Sequence, residues 1–203
     1  MMRRHRLATL ALGLTFGAGG IALAQTPAPA RLRATIDSVT ATTLTVTLRD
    51  GNPAIVQLPS AVRVSGITVA KIGDIKPGSY IGTAAMPQAD GTLRAFEIQV
   101  FPESMRGIGE GNHPWDLEPQ STMTNGTVGD VVVTQGRTLT LRYKDGVKTV
   151  VVPDKAPIIT YAPATPAMLV PGAHVIITAA RQPDGSLVAQ RVGVGKDGLV
   201  PPM

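Results

Sequence analysis

The sequence contains no cysteine in 203 residues, which closes several routes at once. Disulfides, thiolate metal sites, cysteine nucleophiles and lipidated-cysteine anchors are excluded. Aromatic residues are scarce as well: one Trp, three Tyr and three Phe. A sugar-stacking glycosidase cleft or a stacking platform for single-stranded nucleic acid needs more of them. After the first 24 residues no apolar run approaches membrane-spanning length, so the remainder carries no transmembrane span and a permease is excluded. Present in excess is turn chemistry, with 22 Gly and 17 Pro beside a hydrophobic fraction of 43%. That combination fits short strands and turns around a packed core, rather than a helical bundle, collagen or a disordered chain.

The N-terminus opens Met1-Met2-Arg3-Arg4-His5-Arg6 and runs uncharged from Leu7 to Ala24. The run ends in Ala22-Leu23-Ala24, the small-x-small pattern of a signal-peptidase site. Residues 1–24 therefore read as a signal peptide cleaved after Ala24, and the expected location is periplasmic or secreted. Arg3-Arg4 raises the twin-arginine route, but Arg6 stands where that route prefers an apolar residue. Removing residues 1–24 takes three arginines and no acid, leaving 16 basic against 14 acidic side chains. The basic balance is largely a targeting feature, and no nucleic-acid partner is expected.

Self-similarity organises the rest. Leu58-Pro59 recurs as Val152-Pro153, Lys76-Pro77-Gly78 as Val170-Pro171-Gly172, and Asp90-Gly91-Thr92-Leu93 as Asp184-Gly185-Ser186-Leu187, all at one offset of 94 residues. Leu44 to Gly51 recurs as Leu139 to Gly146 at a slightly shifted offset. Within each copy the period is two: Leu44, Val46 and Leu48 alternate with threonines, as Leu139, Leu141 and Tyr143 do later. Asp-Gly pairs supply the turns. The expected core is Leu44, Val46, Leu48, Val56, Ile81 and Ile98 with Leu139, Leu141, Val151, Val175, Ile177 and Val192. The fold expected is all-β: two tandem small antiparallel barrel-like (OB-like) domains at 33–101 and 125–196, joined by an irregular insert at 102–124.

These turns carry a resemblance. One copy runs from Thr35 through Asp50-Gly51 and Pro77-Gly78 to Asp90-Gly91-Thr92-Leu93-Arg94-Ala95. The other runs from Thr127-Val128-Gly129-Asp130 to Asp184-Gly185-Ser186-Leu187-Val188-Ala189. The pattern resembles the DUF5666 family of bacterial extracytoplasmic β-domains, present here as two copies. The first copy departs at its opening, with Asp37 where the second has Gly129. The resemblance implies a small β-barrel-like fold and export, and it carries no catalytic residues. Exported two-copy proteins with a similar linker are described as metal-transport components, although the missing spans argue against transport as the mechanism.

The insert holds the distinctive chemistry: the sole Trp, a His two residues before it, and four acids against one Arg. Long connections without strand pattern are usually functional or disordered. The partner- or ligand-binding candidates are Glu103, Arg106, Glu110, His113, Trp115 and Asp116. Trp115 could equally plug the interface between the domains. A metal would have to use His113, Glu110 and Asp116, with Glu103, Met105 and Met123 as further donors, but paired-His spacing is absent. Gly107-x-Gly109-x-Gly111 lacks the Lys-Ser/Thr and the strand-to-helix context of a phosphate loop. Ser104 and Ser121 flank His113 without an elbow motif, and Glu103 and Glu110 form the remaining carboxylate pair. His174 reads as an ordinary strand residue. The basic residues Arg137, Arg142, Lys144 and Lys148 read as a solvated strand face.

The function expected is therefore non-enzymatic: an exported binding or assembly module contacting an envelope protein or surface, without cofactor. The alternative is a periplasmic metal-binding or transport accessory using the insert. A hydrolase is a distant third.

Overall fold

The computed structural model describes residues 29–132 and 137–202, so the expected signal peptide lies outside the described residues. The described chain is all-β, with no α-helix among those residues and short 3-10 turns at Ile72–Asp74, Glu103–Met105 and Pro166–Met168. The first copy supplies β1 (Ala30–Val39), β2 (Thr43–Leu48), β3 (Pro53–Gln57), β4 (Arg63–Val69), β5 (Tyr80–Pro87) and β6 (Leu93–Val100). The second supplies β8 (Thr122–Val132), β9 (Thr138–Tyr143), β10 (Gly146–Val151), β11 (Ile158–Pro163), β12 (His174–Arg181) and β13 (Leu187–Gly195), and β7 (Gly111–Pro114) lies between.

Local sequence explains each hairpin. In β2, Leu44 and Val46 point inward while the threonines between them are only partly covered. The turn before β6 has Gly91 at φ +82°, and the Asp90 carboxylate accepts hydrogen bonds from the Thr92 backbone N–H at 2.9 Å and hydroxyl at 2.7 Å. Asp184 repeats the device with the N–H of Ser186. These hydrogen bonds hold both aspartates below the usual carboxylate range.

The two copies do not close on themselves. Strands β1, β2 and β3 pair in sequence, β3 then pairs β13, β13 pairs β12, and β12 returns to β1. This ring takes three strands from the first copy and two from the second. The reciprocal ring runs β8, β9, β10, β6, β5 and back to β8. The cores follow the rings: Ile36, Leu44, Val46 and Val56 pack with Val175, Ile177 and Val192, while Ile81, Leu93 and Ile98 pack with Leu139, Leu141 and Val150. Each ring and its core therefore draw on both 33–101 and 125–196. The physical reason lies in β4 and β11. Each runs extended from one ring to the other, pairs its neighbour antiparallel at the seam, and delivers the next two strands to the opposite ring. This is the geometry of an element exchange between two like units.

Two expectations need correction in detail. Leu48 is only half-buried, and Val151 turns away from the core while its neighbours Val150 and Val152 are buried; β10 sits one residue out of the expected phase. The insert is not irregular throughout either. β7 pairs β8 from Gly111↔Asn125 to Pro114↔Thr122, so the second copy's first strand begins at Thr122. The start of β8 lies beyond the reach of β9, and β7 fills that open ladder edge.

Candidate functional site

Between the two rings lies a third cluster, with Ile67, Ala84, Met123 and Ile159 buried and Trp115, Tyr161 and Ile176 packed against them. A cleft of about 300 Å³ opens over this seam. Strand alternation decides what reaches it. In β1, Ala34 and Ile36 go into the ring core, so Arg31 and Arg33 face the seam. In β13, Val192 and Val194 go inward, leaving Arg191 and Gly193 on the cleft side. In β6, Ile98 goes inward and Gln99 faces the cleft.

The ladders of the seam are related two-fold in backbone, yet its side chains differ. Ile36 and Val128 occupy matching positions, each exchanging backbone hydrogen bonds with the Pro-Gly turn of the other copy. Counting back from them, Arg31 and Arg33 correspond to Met123 and Asn125. At the 94-residue offset Arg191 corresponds to Glu97 and Gly193 to Gln99. One half of the seam is thus rich in arginine and the other in neutral or acidic groups.

The insert reaches the arginine side. The Asp116 carboxylate accepts from Arg33 Nη2 at 2.7 Å and Nη1 at 3.3 Å, and lies 3.9 Å from Arg31 Nη1. The Arg31 guanidinium stacks 3.7 Å over the Trp115 ring. Burial pulls the Arg31 pKa below its ordinary value, and the charges of Arg33 and Arg191 add to this against the opposing pull of Asp116. Burial pushes the Asp116 carboxyl up, but the Arg33 hydrogen bond and the two arginine charges outweigh it, so the net shift is downward. Arg191 is exposed and has no ion-pair or hydrogen-bond partner among the described residues. Two further donors, Arg33 Nε and Trp115 Nε1, are buried without an acceptor among the described residues.

The opposite wall carries a polar chain. The Tyr161 hydroxyl donates to Gln99 Oε1 at 2.6 Å, and Gln99 Nε2 donates to Glu97 Oε1 at 2.9 Å. Glu97 is 1% exposed. Burial pushes its carboxyl up to about 7, against the Gln99 hydrogen bond and the charges of Arg33 and Arg49. Burial and the nearby Glu97 charge likewise raise the Tyr161 phenol. Phe101 stacks on Tyr161 with ring centroids 5.5 Å apart and leans on Tyr80 at 5.6 Å.

The insert residues divide between two places. Trp115 and His113 line the cleft, and Asp116 is tied to its arginines. Glu103, Arg106 and Glu110 do other work. Arg106 forms an ion pair with Glu103 at 2.6 Å, donates to the Gly78 carbonyl at 2.9 Å and lies 5.8 Å over Tyr80. The Arg106 hydrogen bond holds the Glu103 carboxyl below its ordinary range. Glu110 Oε1 accepts from the Lys144 backbone N–H at 3.0 Å. His113, Glu110 and Asp116 therefore do not converge on a metal position: His113 Nε2 meets the Glu110 carbonyl at 3.3 Å, while the two carboxylates turn to other partners. Among the described residues no group of three or more His, Asp or Glu side chains could hold a metal ion. Ser121 Oγ donates to the Glu118 carbonyl at 2.7 Å and closes the loop before β8. His174 Nδ1 lies 3.0 Å from the Thr35 hydroxyl, in its strand.

Sequence reasoning missed Arg31, Arg33, Glu97, Gln99 and Arg191. No local signal marked them: polar residues two apart in a strand whose alternate residues are core read as the solvated face of a half-buried strand.

Residues 125–193 match the model of a family described as "Domain of unknown function (DUF5666)". The matched segment runs from within β8 to within β13 and so takes in strands of both rings. Searches of the curated proteins and of the solved structures found no match.

Proposed function

We propose that this chain is an exported, non-enzymatic binding module of the bacterial envelope, built from two tandem DUF5666-like, OB-like copies, with its ligand or partner seated in the seam cleft. One observation carries the reading. The cleft joins an apolar floor to a corner of three arginines and Trp115, in which Arg33 Nε and Trp115 Nε1 are buried without an acceptor among the described residues. Concave, mostly apolar surface with a few convergent polar groups is recognition chemistry. The basic, apolar, Ala-x-Ala-ending N-terminus supports export and a periplasmic or secreted location.

The test has two arms. Cell fractionation with N-terminal sequencing of the mature protein should place it outside the cytoplasm, beginning at Gln25. Mass spectrometry of native protein recovered from the envelope should detect a bound molecule. Thr178→Phe, which fills the cleft from its β12 wall, should lose that molecule while the circular dichroism spectrum is unchanged. Equal recovery from both proteins would sink the assignment to the cleft.

A further inference from the structure

Buried donors in native proteins are almost always satisfied, so Arg33 Nε and Trp115 Nε1 call for an acceptor. The exposed Arg191 adds positive charge without a partner among the described residues. Asp116 already occupies the outer atoms of Arg33, so the remaining donor capacity points to an additional anion. Beside this corner the floor is apolar, formed by Ile67, Met123, Ile176 and Phe101. A bare inorganic anion would leave that floor wet, and a neutral apolar molecule would leave the donors unmatched. The volume of about 300 Å³, at roughly 30 Å³ for each water-sized group, holds about ten heavy atoms.

We infer that the cleft binds a single-tailed amphiphile with a carboxylate head, of medium-chain fatty-acid class, its head at Arg33, Trp115 and Arg191 and its tail over Ile67, Met123 and Ile176. The inference rests on the binding-module reading and names the ligand class for the same cleft. Trp115 is the sole tryptophan, so its emission reports directly on the head-group corner.

The experiment titrates the purified protein with octanoate, octanol and acetate, following Trp115 emission and heat release. Octanoate should bind one to one and shift the emission. Octanol should bind at least tenfold more weakly, and acetate should give no saturable signal. Arg191→Gln, at an exposed position, should weaken octanoate about tenfold and leave octanol unchanged, with an unaltered melting temperature. Octanol binding as tightly as octanoate, an Arg191→Gln protein with full octanoate affinity, or no saturable octanoate signal would each overturn the inference. If octanoate fails but Thr178→Phe still strips a native molecule, the carboxylate assignment falls and the binding module stands. If the molecule also stays on Thr178→Phe, both fall.

Discussion

Ile67 lies directly opposite Tyr161 in the β4–β11 ladder, and the two occupy the same position in their respective repeats, 94 residues apart. A residue facing its own counterpart marks a two-fold axis in the backbone. The other ladders obey it: Val64↔Val192 matches Ile158↔Ile98, and Val56↔Leu187 matches Val150↔Leu93. The chain folds as a covalently joined pair of half-exchanged units, and the cleft sits where they meet.

The exchange predicts how the chain responds to cutting. A protease site introduced after Gly107, in the exposed loop, should yield two pieces that stay associated under native conditions, because each ring needs strands from both. Size-exclusion chromatography with light scattering should give the uncut mass, and chemical unfolding a single transition. Pieces that part without denaturant would contradict the pairing.

Glu97 makes stability depend on pH. Its folded pKa of about 7 lies above the ordinary 4.5, so the folded state binds more protons than the unfolded one between those values. This contribution is complete below about 4.5 and is lost as pH rises through about 7. Glu97→Gln keeps an acceptor for Gln99 and removes the titration. It should be the more stable protein at pH 8, by up to about 3 kcal/mol, with the gap closing by pH 4. Urea unfolding of both proteins across that range checks the sign.

Asp116 holds the tryptophan loop to β1 through Arg33. Asp116→Asn should release Trp115 from the seam, seen as red-shifted emission and faster acrylamide quenching. The Asp116 side chain is 42% exposed, so the stability loss should stay within about 1 kcal/mol. Unchanged quenching would show that packing alone holds the ring in place.

Two glycines should separate cleanly. A methyl group at Gly126 would run into the Arg142 carbonyl oxygen, which is backbone and cannot swing aside. Gly126→Ala should cost about 1–3 kcal/mol. Gly73→Ala meets nothing within 4 Å and should stay within about 0.5 kcal/mol. Thermal melts of the two variants decide this.

Part of the candidate site was legible beforehand. Trp115 and His113 stand out as rare residue types, Asp116 as one of four acids in a stretch without strand pattern, and the structure brings all three to the cleft or its arginines. Arg31 lies far from Trp115 in sequence, and nothing local ties them together. Nothing in the sequence set Glu97 apart, because one strand cannot disclose that both its faces are covered.

The amino-acid sequence by itself determined the all-β class and the Asp-Gly turns, because alternation and Asp-Gly chemistry act between residues a few positions apart. It left open which copy of a strand closes which ring. β5 and β12 present nearly the same inward face, so either satisfies the apolar pattern of β1. Tertiary structure decided that choice through the straight course of β4 and β11, and with it the seam that gathers Arg31, Arg191 and Trp115 around one cleft.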